Sequence, residues 1–162
     1  FRDTAFEGTR LRLVGDGPER ETLARLIDAA DLTTSVALTG PVPKKEIPSL
    51  AASSDALVAS LLPLDLYEFG ISLNKLFDYM AAGKPILFAG RARGNPIHDP
   101  AGGLVTDCNA ESVAEAMRVI RHLPATIRHE MGAYNVASVE ARFTFEVLSS
   151  QLAATLNSRP HS

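Results

Sequence analysis

Two short stretches of this chain, "DALVASLL" (Asp55–Leu62) and "KPILFAG" (Lys84–Gly90), are apolar at nearly every position. A strand that alternates apolar and polar residues buries one face. A run like these must be covered on both faces, which is the condition of a strand inside a parallel sheet. Parallel strands cannot be joined by a tight turn and need a crossover, usually a helix. The intervening sequence supplies one: Leu73, Leu76, Phe77 and Met80 recur at three-and-four spacing over a helix predicted from about Ser72 to Ala82, ended by Gly83.

The same cadence extends in both directions. "TRLRLV" (Thr9–Val14) alternates and runs into "GDGP", so it reads as a strand with a tight turn after it. A helix is predicted over about Pro18–Ala30, with Leu23, Leu26, Ile27 and Ala30 as its inward stripe; a strand follows in "SVALTG", then a short helix over "PKKEIPSLAASS" that Pro48 interrupts. Beyond "RARGNPIHDPAGG", a loop, come the strand "GLVT" and the helix "NAESVAEAMRVIRHL", capped by Asn109 with Val113, Met117 and Ile120 inward. Two more helices close the pattern, about Ala125–Ala141 and Phe143–Leu156, the last with Phe145, Leu148, Leu152 and Leu156 as its stripe. The expectation is an α/β fold, a doubly wound, Rossmann-like parallel sheet in one domain over residues 1–157, with a frayed tail at 158–162.

Charge and cysteine content then exclude whole classes. With 16 Lys+Arg against 19 Asp+Glu the net charge is −3, so the overall balance offers no surface for nucleic acid, and any anion site must be local. The single cysteine, Cys108, excludes an internal disulfide and fits a reducing compartment. Neither end resembles a signal peptide, and the longest apolar stretch, "ALVASLLPL", falls far short of the ~20 residues of a membrane-spanning helix. A soluble, cytoplasmic protein is expected. The polar opening "FRDTAFEGTRLRLVGDGP", without a start methionine, reads as a cut made inside a larger protein.

In a parallel α/β sheet ligands sit beyond the carboxyl ends of the strands, so "GDGP", "TGPV", "YEFGIS" and "GRARGNP" are expected on one edge. "FGISLNK" is the most informative of them. A strand leads through a loop of exposed backbone N–H groups into a helix N-terminus, which carries partial positive charge. Lys75 in the first turn opposes that dipole by a few tenths of a kcal/mol unless an anion compensates it, so a phosphate cradle is expected, the plain alternative being a solvated lysine. Asp78, lower on the same helix, reads equally as a ligand contact or a solvated carboxylate.

Other motifs fail on inspection. Arg20 stands where a dinucleotide fingerprint needs its third glycine; Asp78 and Pro85 break a P-loop match at "AAGKP"; Asn74 replaces the last glycine of a nucleophile elbow at "GISLN". His98, His122, His129 and His161 have no metal-ligand spacing, and no metal or bound cofactor is expected.

"VGDGPERETLARLIDAADL", "VALTGPVPKKEIPSLAASSDALV" and "FGISLNKLFDYMAAGKPIL", in this order and over most of the chain, resemble the carboxyl-terminal domain of family 4 retaining glycosyltransferases of the GT-B fold. The form "GIS.NKLFDYMAAGKP", with "NPI...AGGL" after it, looks most like the bacterial branch that transfers N-acetyl-fucosamine or related sugars in surface-polysaccharide assembly. The resemblance implies a domain that holds a nucleoside-diphosphate sugar, a UDP-sugar by expectation, and an amino-terminal domain elsewhere that binds the acceptor. It also implies peripheral association of the full enzyme with the inner face of the cell membrane through that other domain.

In the family two glutamates hold the donor, the second on the ribose hydroxyls and the first facing sugar and diphosphate. The second falls on Asp78 and the first on Gly70, which leaves two alternatives: Glu68 substitutes as the carboxylate, or the Gly70 to Leu73 amides carry the contact alone. The resemblance further implies donor contacts at Gly15 and Gly17, at Gly40, Pro41 and Val42 along the base, at Phe69, Gly70, Ile71, Ser72, Leu73 and Asn74 around the cradle, and at Asn95 on the sugar side. Lys75 and Glu68 are the expected catalytic groups. The family's Arg and Lys that clamp the diphosphate lie upstream of "LRLVGDGP", so this stretch alone is expected to be inactive. The alternatives are a non-catalytic nucleotide-binding or scaffold domain and a sugar-nucleotide 2-epimerase on the same fold.

Overall fold

The computed structural model describes residues 6–71 and 73–158; Ser72 and the tail from 159 lie outside the described residues. The chain divides into two compact units, residues up to Leu50 and residues from Ala51 on.

In the first unit, β1 (Leu11–Val14) and β2 (Val36–Gly40) pair in parallel, Leu11 opposite Val36 and Leu13 opposite Leu38, with a register shift before Val14 meets Gly40. The alternation read in the sequence is present, since Leu11 and Leu13 are half-buried while Arg12 and Val14 are exposed. The crossover helix α1 (Arg20–Ala29) packs on β2. Its stripe departs from expectation: Leu23 and Leu26 are exposed, Leu26 at 60%, and only Ala24, Ile27 and Ala30 are half-buried on that side. Two strands give a helix a narrow face to lie on, and the outer part of its apolar stripe extends past it.

The second unit has a fuller sheet. A 3-10 turn at Lys44–Glu46 and α2 (Ile47–Ala52) carry the chain out of the first unit, and the second then runs through β3 (Leu57–Ser60), α3 (Asn74–Ala81), β4 (Ile86–Ala89) and β5 (Gly103–Thr106). Then follow α4 (Ala110–His122), α5 (Ala125–Arg142) and α6 (Phe145–Asn157). The strands lie in the order β3-β4-β5, parallel and in continuous register, Leu57 to Ile86 to Gly103. The hydrogen-bonded strands thus form two sets, one in each unit, and both sets are parallel.

Central β4 is buried at every residue, as its unbroken apolar run requires. Ile86 and Phe88 join Leu76 and Met80 of α3 on one face of the sheet; Leu87 and Ala89 join Ala116 and Ile120 of α4 on the other. Each large side chain buried there contributes about 1.5–3 kcal/mol. Helices therefore cover both faces, and the unit is doubly wound.

On the α3 face, α5 packs against α3 so closely that a Cβ on Gly132 would strike the Gly83 carbonyl oxygen. Three residues further along α5, fully buried Asn135 donates from Nδ2 to the Gly102 carbonyl at 2.7 Å and the Lys84 carbonyl at 2.9 Å, tying together the chain segments that enter β5 and β4. Asn109 caps α4 as read, its Oδ1 accepting from the Ser112 N–H at 2.9 Å. α6 begins two residues later than predicted because Thr144 caps it, and its stripe is not inward: Phe145 is 90% exposed, with Leu148, Leu152 and Leu156 exposed as well. No helix among the described residues is long and apolar enough to cross a membrane.

Candidate functional site

Parallel strands deliver their carboxyl ends to one edge, so the residues after Ser60, Ala89 and Thr106 converge in the second unit. A cleft of about 770 Å³ opens there, within the size range of small-molecule sites. Leu61, Asp65, Tyr67 and Glu68 line it from the segment after β3, Arg91 and Arg93 from the segment after β4, and Asp107 and Asn109 from the segment after β5.

Hydrogen bonds between these segments shape the cleft. The chain after β3 forms a 3-10 turn at Asp65–Phe69, and the Arg93 N–H donates to the Tyr67 carbonyl at 2.9 Å, fastening the β4 segment to it. Gly70 follows with φ 125° and ψ 170°, a backbone state open essentially to glycine alone. This turns the chain from the cleft wall toward α3. Across the mouth, Arg91 Nε donates to Asp107 Oδ1 at 2.7 Å and Nη2 to Oδ2 at 3.3 Å, a two-point grip between exposed side chains. Those hydrogen bonds, and then the Arg91 charge, hold the Asp107 carboxyl below the ordinary carboxylate range. The Arg93 guanidinium has no hydrogen-bond or ion-pair partner among the described residues.

The expected site residues separate into groups. Glu68 lines the cleft, and Phe69 beside it is 86% exposed. Ile71 and Leu73 are half-buried and pack on the core around Leu76, so their side chains anchor the loop that leads to α3. Ser72 lies outside the described residues. Asn74 and Lys75 open α3, exposed, with no acidic residue in that first turn. Lys75 forms no ion pair among the described residues, and neither side chain lines the cleft wall. Asp78 is exposed one turn on; its charge adds to burial in raising the pKa of the neighbouring Tyr79 phenol. Asn95 Oδ1 accepts from the Ile97 N–H at 3.1 Å, closing a local turn that seats Ile97 in the core.

In the first unit the Gly15 N–H donates to the Gly40 carbonyl at 2.9 Å, which joins the ends of β1 and β2. Gly15, Gly17 and Arg20 line a hollow of about 260 Å³ at those ends; Pro41 is exposed and Val42 half-buried just after β2.

The second unit therefore brings Glu68 together with Arg91, Arg93 and Asp107, three charged residues that no motif in the sequence singled out. The signal was positional: each follows closely on a strand of a parallel sheet, where chain ends meet. Asp65 and Glu68 offer hydroxyl-accepting carboxylates and Arg93 offers a planar fork that suits phosphate oxygens, while Arg91 and Asp107 engage each other. Among the described residues no group of three His, Cys, Asp or Glu side chains is placed to hold a metal ion.

Comparison with known proteins gives a consistent family. A family model described as glycosyl transferases group 1 matches residues 2–122. The chain is 32% identical over 148 residues to the lipopolysaccharide core biosynthesis glycosyltransferase LpsD of Rhizobium meliloti (strain 1021), covering 88% of this chain but only 40% of that protein's length. Among solved structures it is similar to the sucrose-phosphate synthase of Thermosynechococcus elongatus, with a TM-score of 0.76 and 18% identity over 91% of this chain and 38% of that one. It is also similar to Anabaena Alr3699/HepE in complex with UDP and glucose, with a TM-score of 0.75 and 20% identity over 96% of this chain and 43% of that one. At these identities the structural likeness is one of fold, the Rossmann-like α/β fold of GT-B glycosyltransferases.

Proposed function

Because the chain belongs to the group 1 glycosyl transferases, we propose that its second-unit cleft binds a nucleoside-diphosphate sugar, and that the protein passes the sugar to an acceptor in polysaccharide or glycoconjugate synthesis. The observation that carries this reading is the cleft itself, at the carboxyl edge of a parallel sheet, whose lining includes carboxylates suited to sugar hydroxyls, Asp65 and Glu68, and an arginine suited to a diphosphate, Arg93. UDP is the favoured nucleotide, since Anabaena HepE, a protein of the same fold, was solved with UDP.

The chemistry asked of the site is modest. The bond from the sugar anomeric carbon to the diphosphate oxygen breaks, its electron pair leaves with the nucleoside diphosphate, the acceptor hydroxyl oxygen forms the new bond with retained configuration, and the hydroxyl proton passes to the departing diphosphate. Charge grows on the departing diphosphate, so fixed donors aimed at it lower the barrier. The α3 N-terminus and Lys75 supply that stabilisation, Asp78 accepts hydrogen bonds from the ribose hydroxyls, and Glu68 faces the sugar. No metal is assigned a role. In a protein of its relatives' length, the remaining part would hold the acceptor and meet the membrane surface. The "NKLFDYMAAGKP" segment favours an N-acetyl-fucosamine-type sugar.

Calorimetric titration of the chain with UDP, GDP and their sugar conjugates tests the reading. At least one is expected to bind with a higher affinity than its parent nucleoside, and no binding of any at millimolar concentration would end it. One observation favours a second reading, a nucleotide-binding domain without catalysis: glycine, with a backbone closed to other residues, occupies the family's first acidic position. Transfer of labelled sugar by a protein of the relatives' length separates the two.

A further inference from the structure

We infer that Arg93 is the cation that grips the diphosphate of the bound donor, taking the part that the resemblance assigns to basic residues upstream of β1. The inference rests on the donor-binding reading above and goes further by naming the residue that reads the phosphates.

Elimination within the cleft comes first. Its lining holds two cations, Arg91 and Arg93. Arg91 is already engaged at two points by Asp107, with Nε and Nη2 each on a carboxylate oxygen. A phosphate reaching Arg91 would have to displace a carboxylate of matching geometry. Arg93 has no such competitor among the described residues.

Placement comes second. The Arg93 backbone is fastened at its N–H, which donates to the Tyr67 carbonyl at 2.9 Å, and its carbonyl oxygen lies beside Gly70. The side chain therefore leaves an anchored backbone, beside the turn that feeds the α3 N-terminus. A guanidinium there presents a planar fork to two phosphate oxygens at once. Lys75, the cation that the sequence singles out, is a single flexible point charge on α3 and does not line the cleft wall. On this view Arg93 fixes the diphosphate in the ground state, and Lys75 acts on charge that develops as the bond breaks.

The experiment is calorimetric titration of the whole chain, wild type, Arg93→Ala and Arg93→Lys, with UDP, GDP, uridine and guanosine, and with circular dichroism to confirm that the exposed substitutions leave the fold intact. For whichever diphosphate the wild type binds more tightly, Arg93→Ala is expected to weaken binding about ten- to hundredfold while the parent nucleoside is unaffected. Arg93→Lys, which keeps the charge and loses the fork, is expected in between. The salt dependence of diphosphate binding should flatten in Arg93→Ala. Wild-type affinity in Arg93→Ala overturns the inference and leaves the donor reading standing. Equal losses for diphosphate and nucleoside also overturn it, because the side chain would then not be reading phosphate. Failure of the wild type to bind either diphosphate overturns both.

Discussion

Replacing Gly70 separates two explanations of why an acidic residue is missing from the position where the family places one. Gly70 sits at φ 125° and ψ 170°. Its cost to any L-residue is conformational, since among the described residues a Cβ added there would meet the Arg93 carbonyl oxygen at an ordinary contact distance of 3.8 Å. Held in that state a non-glycine residue costs about 1–3 kcal/mol. For a chain of this size that lowers the unfolding midpoint by roughly 2–12 °C, at ~2–4 °C per kcal/mol. Because the penalty arises at Cβ, Gly70→Ala and Gly70→Glu should lose nearly the same stability.

If the turn relaxes instead, the Gly70 N–H loses its 3.3 Å bond to the Tyr67 carbonyl, the same oxygen that accepts from Arg93, and the cleft wall shifts. Either way, Gly70→Glu should not tighten donor binding. Thermal unfolding by calorimetry and titration with the sugar nucleotide measure both halves. A Gly70→Glu protein that unfolds at the wild-type temperature and binds the donor more tightly would show that the position is simply a vacant acidic slot, and the backbone argument would fail.

Asn135→Ala removes the donor that the Lys84 carbonyl shares with Gly102; Gly102 keeps the Ile86 N–H at 3.2 Å, so about 2–4 kcal/mol is expected in urea unfolding, toward the low end because Asn135 Oδ1 is itself buried without a partner. Asn135→Asp should cost more, since a carboxylate cannot donate to either carbonyl. Asp107 should titrate below the ordinary carboxylate range by carboxyl-carbon NMR, and its midpoint should rise in Arg91→Ala and at high salt. Its folded value is depressed, so what the pair contributes to stability is present above the unfolded-state value and is lost as pH falls through the folded one. Asp78→Ala should weaken a nucleoside diphosphate about ten- to hundredfold while leaving its 2′,3′-dideoxy analogue nearly unaffected; a mutant that still prefers ribose as strongly as wild type would make Asp78 structural.

The parts of the fold that could be read from sequence are those where burial is enforced on all sides. β3 and β4 show it as unbroken apolar runs, and α3 and α4 show it as stripes whose inner members, Leu76, Met80, Ala116 and Ile120, reach the sheet. The stripes of α1 and α6 carry the same periodicity, yet Leu26 is 60% exposed and Phe145 90%. Periodicity reports which face of a helix is apolar; it does not report what lies against that face, and among the described residues the outer faces of α1 and α6 stay open.

The site shows the same division between local pattern and topology. A glycine, an asparagine and a lysine at a helix start are visible along one stretch of chain, because the features that mark an anion cradle are local. Arg91, Arg93 and Asp107 carry no such mark. They acquire a role only when β4 and β5 pair in register and bring the residues after Ala89 and Thr106 side by side. Asp107 then engages Arg91 at two points, and that pairing is what distinguishes Arg91 from Arg93. Two arginines two residues apart in "GRARG" look alike in the sequence; the residue after the neighbouring strand engages one of them and leaves the other without a side-chain partner among the described residues.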